Sequence, residues 1–375
     1  MRICFWGKIA DALLGKTYGG GELQIALLAK SLTRLGHEVV VVDLDIKEGF
    51  VTDEGIKVYP VIGYNSGMKM FRTLTHRLPA LYSTFAGLKA DVYYCRIREY
   101  RHIIVYMVAR KLKAKFILSL ASDLDILSIR KRWKHFYSSN VKDLWGVFNG
   151  VMGEMVYPYL LRNADLVLVQ HEGQKKILAT RGITSTVFYN LIDASVLRSL
   201  NEADTDGPFI YVGSLDKRKG FEDFFEIVKR TPNHKYKVIG KVRDKTGNNL
   251  YRQLGNFSNV QLMGKLSHSD TINEISRSRA LISTSPMEGF PNIFIEAWGC
   301  GVPVLSLYVD PGDVIKREGL GYVADGNLDL LIKTMPGLNR SEDFSHNSLT
   351  YVLAHHALTD VRMVEIKDIF NSLLE

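Results

Sequence analysis

The sequence predicts an α/β protein built from two parallel-sheet domains, and three observations predict it. Short apolar runs of strand character recur along the chain with helical stretches between them, the pattern of parallel α/β units. A polar stretch at 195–208, SVLRSLNEADTDGP, ends in Gly207-Pro208 and parts two such series. At 375 residues the chain is long enough for two cores.

Taken in order, the first series places strands at RICFW, EVVVVD, IKVYPV, DVYYC, KFILSL, ADLVLV and TVFYN. The second places them at FIYVG, YKVIG, NVQLMG, ALISTS, PVLSL and GYVAD. The tail from about Ser348, including ALTDVRMVEIKDIFNSLL, reads as helix. In residues 68–89, Phe71, Leu74, Leu78, Leu81, Phe85 and Leu88 repeat at helical spacing, with Lys69, Arg72, His76 and Arg77 among them. This is one amphipathic helix, or two, since Pro79 interrupts it. Its apolar stripe either packs on the core or lies in a lipid interface led by Met68, Met70 and Phe71.

Composition is that of a soluble globular protein, 46% hydrophobic and 23% charged, with no apolar run long enough to span a bilayer. Lys8 breaks the N-terminal apolar run before a signal-peptide core forms. Cys4, Cys95 and Cys300 fall in no pairing motif, so a reduced, cytoplasmic setting is expected. The net charge of +8 is uneven: residues 1–190 hold 27 Lys+Arg against 16 Asp+Glu, and residues 191–375 hold 21 against 24. The excess base suits an anionic membrane surface or a phosphate-bearing acceptor; solubilising charge is the plain alternative. RKRWKHFY at 130–137 mixes base and aromatics, but no nucleic-acid-binding fold accompanies it, so no nucleic-acid partner is expected.

The most informative stretch is STSPMEGFPNIFIEAWGCGVPVLS, where Glu288 and Glu296 flank a Gly-Phe-Pro-Asn turn that opens an apolar helix. Pro291 suits the first helical position, and the amides after it can receive an anion. The two carboxylates can accept from hydroxyls, so the segment suits a ligand with both phosphate and hydroxyls. Two solvated glutamates on an ordinary strand–loop–helix unit is the competing reading.

This segment resembles the signature of retaining glycosyltransferases of family 4, which have the GT-B architecture of two Rossmann-like domains facing across a cleft. YVGSLDKRKGFEDF at 211–224 resembles the family's phosphate-binding loop, and GKTYGGGELQIALLAKSLTRLGHEVVVV at 15–42 its N-terminal glycine loop, helix and second strand. RNADLVLVQHEGQKKIL at 162–178 resembles the last helix and strand before the domain crossing. The resemblance implies an N-terminal acceptor domain over 1–194, a linker over 195–208 and a nucleotide-sugar domain over 209–347. It also implies a C-terminal helix, 348–375, crossing back to the first domain.

Carried over residue by residue, Glu288 would hold the donor's sugar hydroxyls, Glu296 the ribose and Lys219 the diphosphate. Backbone amides of Phe290, Asn292 and Ile293 would meet phosphate or sugar. Gly213 and Ser214 open the phosphate loop; the family usually has an arginine where Ser214 stands, and Arg218 is the candidate substitute. Gly19, Gly20 and Gly21 form the acceptor or phosphate loop, where glycine permits positive φ and close approach. Gly15-Lys16-Thr17 is no P-loop, because that motif's first glycine would fall on Ala10. Asp123, in Leu120-Ala121-Ser122-Asp123 where many family members carry a histidine, is a candidate contact to sugar or acceptor, or else a helix cap. Asp123 and Asp125 form an Asp-x-Asp, but Lys219 and a helix N-terminus already supply charge compensation, so no metal or other cofactor is expected.

The expected activity is retaining hexosyl transfer from a nucleoside diphosphate sugar to a saccharide or lipid-linked acceptor in surface-polysaccharide assembly, in the cytoplasm or on the inner membrane face. A non-catalytic GT-B partner subunit is one rival, favoured by Ser214 and the absent histidine. A nucleotide-sugar epimerase is another, lacking a His-rich or acidic set at the cleft loops. A Rossmann dehydrogenase lacks the G-x-G-x-x-G fingerprint.

Overall fold

The computed structural model describes residues 1–16, 19–68, 71–127, 144–194, 197, 207–338 and 340–373, with the side chains of 144–149 excepted. The basic stretch 130–137 and most of the 195–208 linker (195, 196 and 198–206) lie outside the described residues. The chain divides into two compact units, Met1–Leu191 with Asp360–Glu375, and Ile192–Thr359.

Unit 1 holds strands β1 (Arg2–Trp6), β2 (Glu38–Asp43), β3 (Phe50–Val51), β4 (Lys57–Pro60), β5 (Val92–Arg96), β6 (Lys115–Ser119), β7 (Leu166–Val169) and β8 (Thr186–Val187). They pair in the order β3-β4-β2-β1-β5-β6-β7-β8, all parallel except β3 against β4. Central strands such as VYYCR are buried along their whole length, as parallel strands covered on both faces must be. Among the described residues up to Leu191, helices of eight or more residues are α1 (Gly20–Arg34), α2 (Leu78–Leu88), α3 (His102–Leu112), α4 (Leu144–Asn163) and α5 (Glu172–Ala179).

Unit 2 holds β9 (Phe209–Val212), β10 (Tyr236–Ile239), β11 (Val260–Gly264), β12 (Ala280–Ser283), β13 (Val304–Ser306) and β14 (Gly321–Val323), ordered β11-β10-β9-β12-β13-β14 and all parallel. Its longer helices are α6 (Phe221–Arg230), α7 (Lys245–Leu254), α8 (His268–Ser276), α9 (Asn292–Gly299) and α10 (Glu342–His355). Phe209, Tyr211, Phe221, Phe224 and Tyr236 pack as an aromatic core against the sheet. In both units the strand order reverses beside the first strand: between β1 and β5, and between β9 and β12. Ligands of open α/β sheets bind at this switch point, beyond the carboxyl ends of the strands.

Three local expectations need correction. The segment before Pro79 is not broken off: Thr73–Arg77 is a π-helical turn running directly into α2, with Pro79 in the first turn, where its missing N–H is harmless. The apolar stripe then divides. Leu81, Phe85 and Leu88 are buried in the core of unit 1, while Met68, Phe71 and Leu74 are exposed. The tail also divides, later than position 348. Helix α10, with Ser348 and Tyr351 buried, belongs to unit 2 and packs on α9, and the chain rejoins unit 1 only at α11 (Asp360–Asn371). There Arg362 lies over the Phe188 ring and donates to Tyr189 O at 3.2 Å.

Candidate functional site

In unit 2 the chain leaves β9 through a loop fixed largely by its own backbone. Asp216, buried at 2% side-chain exposure, caps the 3-10 turn Lys217–Lys219: its Oδ1 accepts from Lys219 N at 3.1 Å. Gly220 then adopts φ +64, a left-handed conformation that α6 needs at its start, and a Cβ there would sit 1.9 Å from Thr284 O at the end of β12. Thr284 Oγ1 closes the contact by donating to Gly220 O at 2.7 Å. A Cβ on Gly247, in the first turn of α7, would likewise meet Leu215 O at 2.0 Å.

This packing aims Lys219 at the neighbouring loop after β12, where its Nζ pairs with Glu288 Oε1. Ser285 Oγ donates to the same carboxylate oxygen at 2.7 Å. Two residues distant in sequence thus meet because β9 and β12 are neighbours. Arg218 is placed otherwise: its Nη2 donates to Asp216 Oδ2 at 2.8 Å and its side chain is 72% exposed. Gly213 and Ser214 are half-buried at the start of this loop.

Pro291 is the N-cap of α9 rather than its first helical residue; Asn292 and Ile293 are the first two, at the end where helix amides lack intrahelical partners. Phe290 is a packing anchor, its ring 4.8 Å from that of His356 and 6.1 Å from that of Trp298. Glu296, on the same helix, is only 7% exposed, and its Oε1 shares a 3.0 Å hydrogen bond with His268 Nε2. That bond raises the His268 pKa above its ordinary value, against the opposing effect of burial. A raised folded pKa gives stability that is full below the unfolded value near 6.5 and is lost as pH climbs through the folded one. The wild type should therefore melt above a His268→Gln variant at pH 6, with the gap narrowing as pH rises. A gap that does not change with pH, measured by thermal unfolding, contradicts this.

In unit 1 the glycine triplet opens α1. Gly19 is its extended N-cap (φ −95), Gly20 and Gly21 are its first two residues, and Glu22 folds back to accept from Gly19 N. None of the three has positive φ, so the left-handed freedom that glycine permits is not used here. Asp123 does not cap its turn either; Ser122 does, accepting from Leu124 N at 3.2 Å. Asp123 Oδ1 instead meets Gln174 Nε2 at 2.9 Å and His171 Nε2 at 3.0 Å. Asp125 Oδ2 accepts from the amides of Ala121 (2.8 Å) and Ser122 (3.1 Å). The two Asp-x-Asp carboxylates therefore face different partners. A cavity of about 830 Å³, within the range of ligand sites, opens at the switch point of this sheet, lined by Trp6 and Gly7 after β1, Arg96 to Arg101 after β5, and Ala121 and Ser122 after β6.

Two family models match this chain: "Glycosyl transferase 4-like domain" over residues 19–188 and "Glycosyl transferases group 1" over residues 195–347. Together they take in most of its length. The chain belongs to the group 1 glycosyltransferases. Among curated glycosyltransferases it is similar to an uncharacterised one of Methanocaldococcus jannaschii, at 24% identity over 221 residues, 56% of this chain and 59% of that one. It is also similar to the lipopolysaccharide 1,6-galactosyltransferase of Salmonella typhimurium, at 32% over 165 residues, 41% of this chain and 46% of the other. The matched part thus spans about half the length of these relatives. Among solved structures, sucrose-phosphate synthase from Thermosynechococcus elongatus superposes with a TM-score of 0.78 at 16% identity, covering 100% of this chain and 99% of that one. That likeness supports the GT-B fold.

For this glycosyltransferase, the structure brings Lys219 and Glu288 into contact and sets Asn292, Ile293 and Glu296 on one helix. Asp123 lies in unit 1 and is committed to His171 and Gln174. His268 is the residue that sequence reasoning missed. The only local signal was the Ser267-x-x-Asp270 helix start, which places His268 first in α8 without pointing to Glu296.

Proposed function

We propose that this glycosyltransferase moves a hexose, with retained anomeric configuration, from a nucleoside diphosphate sugar to a saccharide or lipid-linked acceptor in surface-glycan assembly. The observation that carries this reading is the Lys219–Glu288 pair at the switch point of the unit 2 sheet, beside the N-terminal end of α9. A departing diphosphate needs fixed positive charge as its bond to the sugar breaks. The Lys219 ammonium has three N–H groups, so one stays on Glu288 while others turn to phosphate oxygens. The amides of Asn292 and Ile293 add the positive end of a helix dipole. Glu288 accepts from sugar hydroxyls, and Glu296, held by His268, from the ribose.

In the proposed reaction the acceptor oxygen bonds to the anomeric carbon as the carbon–phosphate-oxygen bond breaks, and the acceptor proton passes to the departing diphosphate on the same face. Positioning and charge stabilisation then suffice, without a side-chain nucleophile or a metal. The similarity to the Salmonella typhimurium galactosyltransferase supports the acceptor class. Exposed Met68, Phe71 and Leu74, on the basic half of the chain, support work against an anionic membrane surface on its cytoplasmic side.

A donor screen tests the proposal. Uridine and guanosine diphosphate sugars are titrated into the full chain with a chelator present, and product configuration is read by NMR. Binding of at least one donor, and an α-linked product from an α-linked donor, are expected; an inverted product overturns retention. The engagement of Arg218 by Asp216, with serine at 214, favours one second reading, a non-catalytic partner subunit. That reading gains if no nucleoside diphosphate sugar binds.

A further inference from the structure

Among the described residues, the cavity of unit 1 has five cationic and five anionic side chains on its wall, yet the two signs are not used alike. Lys8 pairs with Asp45 at 3.0 Å, Arg98 with Glu154 at 2.8 Å, and Arg101 with Glu99. The remaining acids, Glu22 and Asp125, are occupied by backbone amides. That leaves Arg77 and Arg96, neither of which has a carboxylate in ion-pairing range among the described residues.

Arg96 is the decisive one. It ends β5 at the switch point and is only 5% exposed. Its Nη1 donates to Ser119 Oγ at 3.3 Å and its Nη2 to Asn190 Oδ1 at 3.0 Å, both neutral, while its buried Nε has no hydrogen-bond partner. Guanidinium cannot shed its proton at working pH, so this charge stays buried without a counter-charge among the described residues. Such burial is costly, and a group needed only to tie Ser119 to Asn190 could be neutral. On the same wall Arg77 lies 5.0 Å from the Tyr64 ring centre, with Asn65 Oδ1 at 3.4 Å as its polar neighbour. His102 adds no charge, because burial holds its pKa down to about 3.

We propose that this cavity takes an acceptor bearing an oxyanion, a phosphoryl or carboxylate group, with Arg96 as its receiving cation and Arg77 as a second one. The word acceptor rests on the transferase reading above; the anion site itself does not. Besides the Nε–H, each Nη keeps a second N–H, so the planar guanidinium has two donors on one edge for two oxygens of either group. The neutral partners on its other edge hold the fork in place.

The test uses the full chain carrying Lys219→Ala, so that phosphate does not report on unit 2. Glycerol phosphate, glucuronate and neutral glucose are titrated by calorimetry. At least one anionic probe should bind at least tenfold more tightly than glucose; preference for glycerol phosphate marks a phosphoryl acceptor, preference for glucuronate an acidic sugar. Adding Arg96→Gln, which keeps hydrogen-bonding capacity but not charge, should weaken that probe tenfold or more, and Arg96→Lys should restore part of the loss. If Arg96→Gln does not fold, Arg77→Ala serves in its place, with a loss of severalfold expected. Equal binding of glucose, or anion affinity unchanged by these substitutions, overturns the proposal. Nucleoside diphosphate binding to the chain with Lys219 intact is measured separately. Its loss would count against the transferase reading and leave the anion site standing.

Discussion

Lys219→Ala should lower kcat by about 10²- to 10³-fold under the proposed reaction, the effect of removing one fixed donor from a developing charge, equivalent to roughly 3–4 kcal/mol of transition-state stabilisation. The fold survives, because Lys219 holds the loop through its backbone, which bonds to Asp216, Tyr211 and Thr284, and not through its ammonium. Glu288→Gln should cost a similar order, since it removes the carboxylate charge that pairs with Lys219 and strengthens acceptance from hydroxyls. Because the two groups touch, the double variant should lose little beyond the worse single one. Steady-state turnover on the donor found by screening, with circular dichroism as the control for folding, decides the matter. Near-normal turnover in both single variants removes these residues from the chemistry.

Gly220→Ala is expected to destabilise unit 2 by roughly 2–4 kcal/mol, combining the cost of left-handed geometry for an L-residue with displacement of the β12 end. A Cβ 1.9 Å from Thr284 O cannot be met by rotating a side chain. The melting transition should fall by about 5–10 °C, and donor binding should weaken with it. Gly319 supplies the control. It has φ +66 but open space around a would-be Cβ, so Gly319→Ala carries only the backbone cost, about 1 kcal/mol. Equal losses in the two variants would mean that the approach of Thr284 is not what requires glycine at 220.

Most of the sheet framework was legible because buried parallel strands are continuous apolar runs, and VYYCR or EVVVVD admits little else. Strand β3 was not legible: Phe50–Val51 is a two-residue edge strand, half exposed, with no pattern to repeat. The stripe at 71–88 showed the right period, but period does not say where burial stops, and only its second half meets the core. The tail misled for a similar reason. Helices α10 and α11 are both half-buried, and it is the partner each one packs on that assigns α10 to one unit and α11 to the other.

At the site, the motif residues were legible and their mutual bonds were not. Glu288 and Lys219 each announce themselves within a short segment, but their contact depends on β9 and β12 being neighbours, a property of strand order. His268 and the commitment of Asp123 to His171 and Gln174 are long-range pairings with no local trace.

The loop after β9 separates shape from chemistry. Its path is set where backbone meets backbone, at Gly220 against Thr284 and Gly247 against Leu215, and by the capping of Asp216. Ser214, Lys217 and Arg218 hang on that path without determining it. A lineage could therefore rewrite the loop's charge one outward residue at a time. The part that resists change is the smallest side chain in it.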